Sequence, residues 1–247
     1  MRMSKKTKLL DDAVKVTQAD LIKAYQQQAQ SILNEAEKLY LKLETKGLSL
    51  TELYRQDRYF KLLAQINDKL QKLGAKEVKI LNTGLRSMYS DSITLVNSFA
   101  IVDERAVEQV ISEVWCADGK RWSDRIWAHK MELQQALSEG LMNCVIRGDS
   151  HEKLVSQLQR EFDVTRRQSE TIARTELNRI QNKAAVEGYL QAGYDRYQFI
   201  TAIDDRTCDE CGRLNGQVFY FAEAEEGVNF PPMHPNCRSN IIAYKGD

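Results

Sequence analysis

Proline is almost missing from this sequence: Pro231, Pro232 and Pro235 are the three present, and none interrupts the preceding 230 positions. A proline inside a helix removes a hydrogen bond and clashes with the previous turn, so its absence over that stretch leaves room for successive helices. Charge of one sign is lacking too. Lys plus Arg equals Asp plus Glu at 35 each, which argues against a generic polyanion binder whose affinity comes from neutralising phosphates. No apolar run reaches the length of a membrane span, and the N-terminus has no signal-peptide core. The expectation is a protein made in a reducing cytoplasm, with no membrane partner. There, five cysteines and three histidines read as metal ligands or buried thiols, not as a disulfide framework.

Apolar residues recur every three or four positions along most of the chain. Leu21, Tyr25, Ala29, Ile32, Ala36, Leu39 and Leu43 share one helical face, with Gly47 as a plausible stop. Ser49 and Glu52 form a capping box, and Tyr59, Leu62, Ile66, Leu70 and Leu73 continue on one face until Gly74. Further helices are expected near 76–99, 103–116, 123–147 and 151–162, and a last long one from Thr165, capped by Gln168, to Gly193. After Gly193 the period changes. Tyr197 to Ile203, Val218 to Phe221 and Asn240 to Tyr244 read as short strands, with a turn at Asn215-Gly216.

Cys208-Asp-Glu-Cys211 is a C-x2-C knuckle and His234-Pro-Asn-Cys237 an H-x2-C knuckle. Two such pairs joined by a loop suit a tetrahedral ion, and thiolates with one imidazole select zinc over magnesium or calcium. Four protein ligands fill the shell, so the site is read as structural. A small module with short strands buries too little to stand alone, and a metal supplies the shortfall. A redox C-x-x-C lacks the surrounding strand–helix pattern of thioredoxins and leaves the second knuckle unexplained. Cys116 and Cys144 are expected to be buried, inert thiols of the helical body.

Taken together, Ile172-Ala-Arg-Thr-Glu176, Gly193, Asp204-Asp-Arg-Thr-Cys208-x-x-Cys211, Leu214-Asn-Gly216, Phe219 and His234-Pro-Asn-Cys-Arg238 resemble the C-terminal domain of the phage head morphogenesis family, the minor head proteins of the phage Mu F type. Trp122-Ser-Asp-Arg-Ile-Trp127 and Ile146-Arg-Gly-Asp149 are similar to upstream segments of that family. The resemblance covers roughly residues 100 to 243. Ser239 occupies a position where many members carry a further cysteine, which leaves His234 and Cys237 as the second pair of ligands. The resemblance implies a non-enzymatic minor capsid protein of a tailed phage or prophage, located in the virion head. Its implied partners are the portal and neighbouring head proteins, with packaged DNA as a further candidate and no small-molecule substrate.

The fold expected is mainly α: an elongated helical body bearing a small C-terminal zinc-stapled α+β module. The division expected is an N-terminal arm over 1–100, the helical part of the head morphogenesis domain over 101–193, and the knuckle module over 194–247. Arg174, Glu176, Asp204 and Arg206 are expected to support the knuckle and the helix beneath it; consecutive helical residues diverge by about 100°, so Arg174-Thr175-Glu176 cannot converge on a substrate. Two competing readings are a zinc-stapled nuclease and a nucleic-acid-binding zinc module. The first needs a free histidine base, for which His129 and His151 alone remain, both in upstream helices. The second needs a basic module, whereas residues 204–226 hold seven acids and two arginines. Tyr194, Tyr197, Phe199, Phe219, Tyr220 and Phe221 could form a base-stacking platform, but strand alternation places half of them in the core.

Overall fold

A computed structural model describes residues 2–46 and 58–246. Among them run six α-helices: α1 (Arg2–Lys46), α2 (Arg58–Val96), α3 (Glu104–Ser112), α4 (Trp122–Arg147), α5 (His151–Gln191) and α6 (Asp209–Leu214). The expected mainly α fold with a small C-terminal sheet is what the chain adopts. None of these helices is long and apolar enough to cross a membrane. The capping box at Ser49 and Glu52 lies outside the described residues.

Two helices are longer than the spacing predicts. Gly74 does not end a helix, because α2 runs on through it to Val96. The ring of Trp127 occupies the space that a Cβ at Gly74 would need, 2.5 Å away, so the glycine is a packing position and not a stop. Nor does Thr165 begin a helix: α5 is continuous from His151. The Thr165 hydroxyl donates to the Glu161 carbonyl at 3.0 Å and Ser169 to the Thr165 carbonyl at 3.1 Å, so both side chains bond one turn back instead of capping. In the other direction, α3 stops at Ser112, which leaves Cys116 half-buried in a loop; Cys144 is fully buried as expected.

The chain divides into two compact units, and α1, α2 and α5 each contribute one stretch to either. Residues 19–79 and 123–169 form one. Its core is aliphatic, with Leu21, Ile32, Ile66, Leu70, Ile126, Leu137 and Leu158 almost fully buried. Within that core sit Lys130 and Glu77, 2.7 Å apart and essentially without solvent contact. Tyr25 joins them, donating to Glu77 at 3.0 Å and sharing a 2.8 Å hydrogen bond with Ser169. Burial lowers the Lys130 ammonium from its usual range, against the pull of Glu77.

Residues 1–18, 80–122 and 170–247 form the other unit, which carries the sheet. β1 (Arg196–Ile200) lies between β2 (Val218–Tyr220) and β3 (Asn240–Tyr244), antiparallel to both. Tyr197 and Phe199 point into the core and their strand neighbours do not, the period-2 signature of a half-buried strand. Tyr197 packs with Tyr189, Phe230 and Ile241, and Phe199 with Cys211 and Cys237. The aromatic cluster is thus divided between two small cores. Two buried asparagines one turn apart on α5 anchor β3. Asn178 donates to the Ser239 carbonyl at 3.1 Å, and the Asn182 side-chain oxygen accepts the Ile241 N–H at 3.1 Å.

Candidate metal centre

The first knuckle is built where β1 gives way to α6. Asp204 holds the connecting loop: one of its oxygens accepts the Arg206 N–H at 3.0 Å and the Thr207 hydroxyl at 3.2 Å. Arg238 clamps the same carboxylate with both terminal nitrogens. That guanidinium, ahead of the loop hydrogen bonds, holds Asp204 well below the usual carboxylate range. Cys208 then caps α6, its sulfur accepting the Cys211 N–H at 3.4 Å.

The second knuckle turns at Asn236, which has φ of +60°. That left-handed conformation disfavours most side chains but is tolerated by asparagine. Asn236 is tied to α5, its N–H donating to the Thr175 hydroxyl at 3.0 Å and its side-chain amide to Thr171 at 3.4 Å. The ring of His234 donates Nδ1–H to the Pro235 carbonyl at 2.9 Å, and its Nε2 faces the cysteines. This orienting bond is the kind that metal-ligating histidines make.

Cys208, Cys211 and His234 bring their ligand atoms within 4.8 Å of one another. Sulfur to Nε2 is 3.3 Å from Cys208 and 3.6 Å from Cys211, and Cys211 to Cys237 is 3.9 Å sulfur to sulfur. A tetrahedral zinc with bonds of about 2.3 Å to sulfur and about 2.0 Å to nitrogen separates its ligands by roughly 3.5–3.8 Å, so these edges fit one. Cys237 joins through Cys211 and is not within the mutual 4.8 Å group. Cys211 and Cys237 are buried, with Phe199, Phe219, Leu214 and Met233 around them. Burial pushes the Cys211 thiol up to about 12; a Ser239 hydrogen bond works the other way, and the neighbouring sulfurs add to the rise. A cation at the centre of the group would remove that penalty, because a coordinating thiol is deprotonated.

Of the expected supports, Asp204 braces the loop before the first knuckle. Arg206 lies 3.8 Å from it, largely in solvent. Arg174, Thr175 and Glu176 diverge. Arg174 faces Asp11 at 3.5 Å, and Glu176 accepts the Trp115 indole N–H at 3.0 Å beside the fully buried Arg179. Thr175, between them, is the one that reaches the knuckle. Thr171, Thr175, Asn178, Asn182 and Arg238 position the centre without having stood out as such in the sequence. His129 and His151 belong to the other unit.

Fold and site define a helical protein carrying a Cys/His knuckle module, and the comparisons place that module in a family. Residues 135–242 match the family described as Phage Mu protein F like protein. The match spans both knuckles, β1, β2, the start of β3 and the whole of α5, and it bears out the resemblance to phage head morphogenesis proteins. No curated protein and no solved structure matches the chain.

Proposed function

We propose that this protein is a minor head protein of a tailed bacteriophage or prophage that acts in head assembly beside the portal and is carried in the virion. The observation behind this reading is the family match over 135–242, which takes in both knuckles. Cys208, Cys211, His234 and Cys237 would hold zinc, and bound zinc would cross-link the loops at the two ends of the module. The donor set has no water position once Cys237 closes it, which favours a structural over a catalytic ion. No histidine outside the cluster lies in the unit that carries it, which weighs against the nuclease alternative. Contact with packaged DNA belongs to the same proposal.

The test is affinity capture of the tagged protein from phage-producing host cells, with mass spectrometry of the co-purifying proteins and of purified heads. Recovery of portal protein, and of this chain in mature heads, is the expected result. Its absence from heads, or cleavage of plasmid DNA in the presence of magnesium or manganese, would overturn the reading.

A further inference from the structure

Beside the knuckles lies an open cleft of about 580 Å³, within the range of roughly 300–1,000 Å³ typical of small-ligand sites. Three guanidinium groups line it, each from a different part of the fold: Arg174 from α5, Arg206 from the loop after β1, and Arg238 from the segment leading into β3. Asp11 is the one acid among the lining residues.

The three arginines differ in how they are engaged. Arg238 is fixed by its two-pronged contact with Asp204. Arg174 has a long 3.5 Å contact to Asp11, whose side chain is 56 % exposed, and Arg206 is 3.8 Å from Asp204 with its own side chain 73 % exposed. Loose, solvated pairs of this kind contribute little, so an oxyanion entering the cleft displaces little when it takes these two forks. Guanidinium forks match phosphate and carboxylate oxygens in pairs.

We propose that this cleft binds a phosphorylated small molecule, its phosphate against Arg174 and Arg206. With three guanidinium groups and one acid in its lining, the cleft is a local basic site suited to a compact anion. The proposal does not depend on the head-protein reading.

The test is calorimetric titration of the full-length, zinc-loaded protein with adenosine monophosphate, with adenosine as the phosphate-free control and a short single-stranded oligonucleotide as a third arm. Saturable binding of the monophosphate but not of adenosine is expected, weakened about tenfold or more in Arg174→Gln and in Arg206→Gln, with zinc content unchanged. Tighter binding of the oligonucleotide, with the same dependence on both arginines, would overturn the small-molecule assignment and identify a nucleic-acid strand as the ligand. Arg206 is solvated enough that its variant decides the matter if Arg174→Gln loses zinc. No binding by either phosphate probe at millimolar concentration, or binding indifferent to Arg206→Gln, would overturn the proposal.

Discussion

Lys6 stands in a basic run that reads as an ordinary solvated surface, yet its side chain is 1 % exposed. The ammonium donates to the Ile241 carbonyl at 2.8 Å and lies 5.9 Å from the centre of the Tyr189 ring. Desolvation lowers its pKa from 10.5 to about 7. Because the folded state holds this proton less tightly than the unfolded chain, stability rises with pH between about 7 and 10.5 and is lowest below that window. Lys6→Met should flatten this slope and raise stability near pH 6 relative to the wild type, by an amount of order 1 kcal/mol or more; urea unfolding across pH 6 to 9 measures it. At the knuckle, Thr175→Val deletes the acceptor of the Asn236 N–H. It should destabilise by about 1–2 kcal/mol and weaken zinc retention about tenfold, read by competition with a chromophoric chelator. The Cys/His cluster was legible because paired spacing of soft donors is rare. Thr175, Asn178 and Asn182 were not, because polar residues in a helix ordinarily face water and only the docking of β3 and the knuckle buries them.

Among the elements, apolar periodicity identified most helices and all three strands, but it misplaced boundaries wherever a glycine or a hydroxyl serves packing. Gly74 is the clearest instance. Replacing a mid-helix glycine by alanine normally stabilises by about 1 kcal/mol, but here the new methyl would lie 2.5 Å from the Trp127 ring. Gly74→Ala should therefore destabilise, by about 1–3 kcal/mol, and Gly74→Ala with Trp127→Leu should recover part of the loss; guanidinium unfolding of both variants measures it. Thr165 with Gln168 satisfies the capping pattern equally well on paper. Sequence alone does not show whether the preceding residues are themselves helical, and α5 already runs through them.

On the scale of the whole molecule, each unit has its own polar centre. Lys130 and Glu77 form a buried ion pair in one. Lys130→Met strands the Glu77 carboxylate and should lose about 3–5 kcal/mol, whereas Lys130→Met with Glu77→Leu should fall much closer to the wild type; thermal and chemical unfolding of both proteins compares them. In the other unit, Cys208→Ser should remove the metal and destabilise the knuckle module by several kcal/mol. Hydrogen exchange should then accelerate across 201–240 and the three strands, while α4 keeps its protection. Unaltered protection of the module in that variant would show that no metal stabilises it. This division was not legible in the sequence, because the unit that carries the carboxyl-terminal sheet also takes in residues from the opposite end of the chain.

Lys6 and the carbonyl it holds are separated by 235 positions. At about 5–20 residues per second of translation, the first turns of α1 wait roughly ten to fifty seconds on the ribosome before Ile241 is made. For all that time Leu10 and Val14, almost fully buried in the finished fold, have no β3 to complete the unit that covers them. Nascent chains are thus exposed to chaperone capture and to aggregation through this segment, and slowing synthesis lengthens the exposure.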